Sequence, residues 1–77
     1  MSGLIEQDSS IMMGKPVIKG TRITVEHILR EIAAGTSIEE LLIAHPKLTK
    51  ESISEALNYA ADILRETALK TYREISD

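Results

Sequence analysis

The sequence predicts a mainly helical domain. A short β-hairpin leads into a three-helix bundle whose last two helices form a helix-turn-helix, and the final helix is long. Three observations predict this. Residues 37–64 read as a short helix, a proline corner and a longer helix, the outline of a helix-turn-helix. Apolar residues recur at spacings of three and four, the period of one helix face. The chain has no Trp, Phe or Cys, so its core must be built from Leu, Ile, Val and Ala, which suits helices.

Residues 1–10 are polar and irregular, and are expected to be a flexible N-terminus. From Ile11 to Thr24 the chain looks like a hairpin. Pro16-Val17-Ile18 and Arg22-Ile23-Thr24 are the arms, and Gly20 supplies the positive φ of the turn. Thr24 then caps a first helix to about Ala34, with Val25, Ile28, Leu29, Ile32 and Ala33 as its apolar stripe. Gly35 ends it.

Ser37-Ile38-Glu39-Glu40 opens the second helix as a capping box. Leu41, Leu42 and Ile43 are its apolar part, and His45-Pro46 stops it, because the residue before proline leaves the α region. Thr49 caps the third helix, whose stripe is Ile53, Ala56, Leu57, Ala60, Ile63 and Leu64. That stripe continues through Ala68, Leu69 and Tyr72. A helix from Lys50 to Glu74 is about 38 Å long, which overshoots a three-helix core. The organisation is therefore residues 1–10, a domain over 11–64, and a C-terminal helical extension over 65–77.

Size and charge limit the function classes. A chain of 77 residues is one domain, and it buries only about 60% of its unfolded surface. Such a small core favours association with a second copy, and a homodimer is expected. Without cysteine there is no disulfide or thiolate metal site, which fits a reducing cytoplasm. No apolar run is long enough to span a bilayer, and residues 1–13 show no secretion signal. The net charge is −3, unfavourable for nucleic acid, yet Lys15, Lys19, Arg22 and Arg30 face only Glu26 between Ser9 and Arg30.

Catalysis finds little support. His27 and His45 lie on different elements, and neither belongs to a metal-ligand spacing. The serines lack a nucleophile elbow, and Gly14-Lys15 lacks the phosphate-loop spacing. No enzyme, cofactor or metal is expected.

Two surfaces remain. On the helix-turn-helix, Lys50, Ser54 and Asn58 stand opposite the apolar stripe, where a recognition helix meets base edges, and Lys47 and Arg22 can add phosphate contacts. Glu51 and Glu55 oppose this, and the same outline serves helical corners that touch no DNA. The second surface is the end of the third helix, where Leu64, Ala68, Leu69 and Tyr72 form an apolar face with nothing in this chain to cover it. A partner surface and a frayed tail are the two readings of that end.

Four runs carry a family resemblance: Ile11-Met12-Met13-Gly14-Lys15-Pro16-Val17-Ile18-Lys19-Gly20-Thr21-Arg22-Ile23-Thr24-Val25, Ala34 to Glu40, Pro46 to Thr49, and Ala56 to Ala61. Together they resemble the bacterial and archaeal domain-of-unknown-function 433 family over about Ile11 to Leu64. The resemblance implies a homeodomain-like three-helix fold preceded by a hairpin. It also implies an antitoxin of a type II toxin–antitoxin pair, which neutralises a small PIN-like ribonuclease toxin and binds its own promoter, a double-stranded operator DNA. The alternatives are a stand-alone DNA-binding regulator and a homo-oligomeric interaction module without DNA. Two positions depart from the family: His45 stands where an aromatic commonly precedes the proline, and Met13 where glycine is common.

Overall fold

The computed structural model describes the backbone of residues 3–76 and the side chains of residues 3–69. Two short strands, β1 (Ile5–Glu6) and β2 (Val17–Ile18), precede three helices, α1 (Val25–Ala33), α2 (Ile38–Ala44) and α3 (Lys50–Ser76). The fold is mainly helical with a short antiparallel strand pair, as the sequence predicts.

The strand pairing differs from expectation. Residues 1–10 were expected to be irregular, but Ile5 and Glu6 pair with Ile18 and Val17. The anticipated hairpin survives as a single bridge between Val17 and Thr24, with Ile18 N–H donating to the Ile23 carbonyl at 2.9 Å. The physical reason is that its second arm runs out at Thr24, which is already committed to capping α1. Val25 N–H also donates to the Pro16 carbonyl at 2.9 Å, so the expected arm holds one edge of β2, and β1 pairs with the other. A two-residue strand such as Ile5–Glu6 has no periodicity by which a sequence could announce it.

Each helix start and stop has a local cause. The Thr24 hydroxyl accepts from the His27 N–H at 2.9 Å, and α1 ends in a left-handed Gly35 (φ +96°). There the Thr36 N–H reaches the Glu31 carbonyl and the Gly35 N–H that of Ile32, both at 3.0 Å, which satisfies the last free carbonyls of the helix. At α2 both halves of the capping box form: Glu40 N–H to Ser37 Oγ at 3.0 Å and Ser37 N–H to Glu40 Oε1 at 2.9 Å. α3 repeats the device with serine in place of glutamate. The Ser52 N–H donates to Thr49 Oγ1 at 3.0 Å, and the Thr49 N–H to Ser52 Oγ at 2.9 Å.

The core is one cluster: Ile18, Val25, Ile28, Leu41, Leu48, Ile53 and Ala56, with Ile5, Ile23, Ile32, Leu42, Leu57, Tyr59 and Ala60 packed around it. α3 supplies its first three turns to this cluster and then leaves it. Residues 61–69 are all exposed, including Ile63, Leu64 and Leu69. The helix has 27 residues, about 40 Å, and leaves the core with residues 61–69. The expected overshoot is therefore present. Leu29 and Ile43, both assigned to apolar faces, are 37% and 81% exposed. Seven- and nine-residue helices have too little length for every apolar position to find a partner.

The connection between the strands holds backbone strain. Met12, Met13 and Gly14 follow one another at φ 48°, 58° and 81°. The left-handed region costs an L-residue roughly 1–2 kcal/mol. Met13 is 88% exposed, so packing returns none of that cost. Met13→Gly is expected to raise stability by about 1 kcal/mol, and β-branched Met13→Val to lower it. Chemical denaturation of the two variants beside the parent checks the sign of both.

Candidate functional site

Two exposed regions carry the residues that the sequence singles out. The first is the α2–α3 corner. Lys50, Ser54 and Asn58 are each exposed and recur every four residues, so they form one stripe on the first turns of α3. Lys47 is exposed in the adjoining turn, while Arg22 is exposed elsewhere, in the connection between β2 and α1. A shallow groove of about 420 Å³ runs beside the stripe, lined by Ile38, Glu39, Lys50, Ile53, Ser54 and Leu57.

The electrostatics of this corner are acidic. Glu39 lines the groove with Lys50, and Glu51 and Glu55 follow Lys50 and Ser54 directly on α3. The Ser37 backbone N–H and hydroxyl lower the pKa of the Glu40 carboxyl below its ordinary value. The stripe has the residue types for reading bases and too few cations for holding a phosphate backbone.

The second region is a groove of about 440 Å³ between α1 and the middle of α3. Leu29, Tyr59, Ala60, Ile63 and Leu64 make its apolar walls, and Lys15, Glu26 and Arg30 edge it. At that edge Lys15 Nζ and Arg30 Nε each lie 3.1 Å from a Glu26 carboxylate oxygen. Lys15, then Arg30, lowers the Glu26 pKa below the usual carboxylate value. Two cations share one carboxylate, so the lip remains positive. Gln7 fastens the Lys15 end of that edge to α3. It accepts from the Tyr59 hydroxyl at 3.0 Å and donates to the Gly14 carbonyl at 3.2 Å, tying α3 to the strained turn that leads into Lys15.

Of the residues expected to meet a partner, Leu64 lines this groove. Ala68 and Leu69 are exposed further along α3, and the side chain of Tyr72 lies outside the described residues. Sequence reasoning missed the groove itself. Lys15, Leu29 and Tyr59 come from three separate segments, and no spacing links them. It also kept His27 and His45 apart, whereas their rings meet edge to face with centroids 5.7 Å apart, joining α1 to the end of α2. Among the described residues, no group of three or more His, Cys, Asp or Glu could hold a metal ion. No described helix is long and apolar enough to cross a membrane.

The sequence model for the proteins of unknown function DUF433 matches residues 5–60. The chain belongs to this family. The matched segment begins at β1 and ends at Ala60, the last residue of α3 packed against the core. A DUF433 member protein from Anabaena variabilis ATCC 29413, known from a crystal structure, aligns with a TM-score of 0.74 at 28% identity, covering 99% of this chain and 71% of that one. The uncharacterized protein y4eO of Sinorhizobium fredii (strain NBRC 101917 / NGR234) is 39% identical over 57 residues, 74% of this chain and 26% of that protein. The chain thus spans about a quarter of this curated relative's length.

Acid should loosen the lip and the helix starts of this DUF433 domain. Asp8, Glu26 and Glu40 all have pKa values lowered in the folded state. Each therefore contributes stability that is present above the ordinary carboxylate range and is lost as pH falls through its lowered value. The thermal midpoint is expected to drop below about pH 4. Glu26→Gln and Glu40→Gln should each be less stable than the parent at neutral pH, and the gap should close in acid. Melting curves across the pH range measure both effects.

Proposed function

We propose that this protein is the antitoxin of a type II toxin–antitoxin pair, and that the free half of α3 covers a PIN-like ribonuclease toxin. One observation carries the reading. α3 leaves its own core after Ala60 and continues with exposed Ile63, Leu64 and Leu69. Exposed apolar side chains on a helix outside its own core are the form that helix-in-groove recognition takes, and Leu69, about 120° around the helix from Ile63, stands on the side of Asp62 and Glu66. A ribonuclease must present cations to its RNA, and carboxylates on a helix laid across that surface meet the same cations. Apolar burial would supply affinity, and the acids would supply orientation and block the RNA path.

Leu69→Glu tests this. The side chain is 47% exposed, so the fold should persist by circular dichroism. Co-purification of the proposed PIN-like nuclease from the protein's own cells should fall at least about tenfold, and inhibition of its RNA cleavage should be lost with it. Undiminished capture of the nuclease by the variant rejects this face.

Promoter binding through the α2–α3 corner is the second part of the reading. It is favoured by the exposed stripe of Lys50, Ser54 and Asn58, and weakened by Glu39, Glu51 and Glu55 beside it. Two half-sites, or cations contributed by the toxin, would be needed for useful affinity. Lys47→Ala should weaken binding equally for all DNA sequences and flatten the salt dependence, while Asn58→Ala should relax preference at one base position. Binding isotherms on operator and scrambled DNA at several salt concentrations distinguish the two. If neither substitution alters binding, the corner is not the reader.

A further inference from the structure

We infer that a second copy of this chain fills the α1–α3 groove, through an antiparallel α3–α3 contact about a twofold axis near Ile63 and Leu64. This goes beyond the antitoxin reading and does not depend on it. The first argument is self-complementarity. Tyr59, Ala60, Ile63 and Leu64 wall the groove, and the same helix runs on as an unpartnered ridge. Groove and ridge adjoin along one axis. A twofold operator therefore lays each copy's ridge in the other's groove and closes both at once.

The ridge suits that position. Thr67, on the face of Ala60 and Ile63, donates its hydroxyl to the Ile63 carbonyl at 3.0 Å, so its polar atom is satisfied within the helix. With the axis between Ile63 and Leu64, Thr67 of one copy faces Ala60 of the other, a small residue that permits close approach.

Charge sets the same arrangement. Tyr59 and Glu66 are seven residues apart and share one flank of α3. Like flanks adjoin in an antiparallel pair. Glu66 of the second copy therefore arrives at the flank where Tyr59 is fastened, through Gln7, to the turn that carries Lys15. There Lys15 and Arg30 share only Glu26, so an acid is wanted. Symmetry makes this contact twice. Leu69, six residues past Ile63, lies about 120° around the helix from it and stays open to a different partner.

The test uses the full chain in sedimentation velocity and light scattering. A dimer is expected. Leu64→Glu, at a position 69% exposed, should keep its helical spectrum and weaken dimerisation at least about tenfold. Lys15→Glu should also weaken it, and Lys15→Glu combined with Glu66→Lys should restore it. The chain has no cysteine, so Leu64→Cys should give a disulfide-linked dimer on mild oxidation, whereas Ile43→Cys, at an 81% exposed position on α2, should not. A monomeric parent overturns the inference. So does a dimer that Leu64→Glu leaves intact, or one cross-linked equally well through position 43.

Discussion

Ile28, Leu41 and Ile53, one from each helix, are buried to within 1% and share a single apolar cluster. Every other feature is arranged around that junction. It joins two helices of nine and seven residues to a third of 27. Isolated helices shorter than about 12–15 residues are marginal in water. α1 and α2 therefore persist because their ends are capped and their inner faces meet α3. The caps position the inner faces: Thr24 places Val25 and Ile28, and the Ser37–Glu40 box places Leu41.

A junction of aliphatic side chains with no Phe or Trp is small. It closes after three turns of α3, and the helix then has no further interior to enter. The two exposed regions follow from that limit. Beside the short helices lies the α2–α3 corner, with its polar stripe and its excess of glutamates. Beyond the junction lie the α1–α3 groove and the bare end of α3. The corner offers hydrogen-bonding groups and little positive charge, whereas the groove offers apolar area edged by a positive lip. Apolar area is the larger source of affinity for a protein partner, and phosphate neutralisation is the larger source for DNA. The groove and helix end are thus the better-equipped surface.

The family match covers residues 5–60, which is β1 through the last turn of α3 packed on the core. It describes the junction and its supports. Residues 61–69, the exposed stretch of α3, lie beyond the matched segment, and the structural relative from Anabaena variabilis aligns over nearly the whole chain. Within the matched segment, Met13 is held at φ 58°, a conformation in which glycine relieves strain.

The sequence by itself determined the three helices, their caps, the glycine and proline stops, the overshoot of α3 and the aliphatic make-up of the core. These are local matters: a hydroxyl three residues from an amide, a residue before proline, an apolar period of 3.6. The exposed stripe of Lys50, Ser54 and Asn58 was legible for the same reason, since all three ride on one helix. Only the tertiary structure decided which partner β2 takes, because Ile5 pairs with Ile18 across 13 residues and neither sequence neighbourhood signals the other. It alone brought His27 to His45, and Lys15, Gln7 and Tyr59 to one edge of a groove. Contacts between distant segments depend on how whole helices pack, and packing is settled by the shapes of all the buried side chains together, which no window of sequence contains.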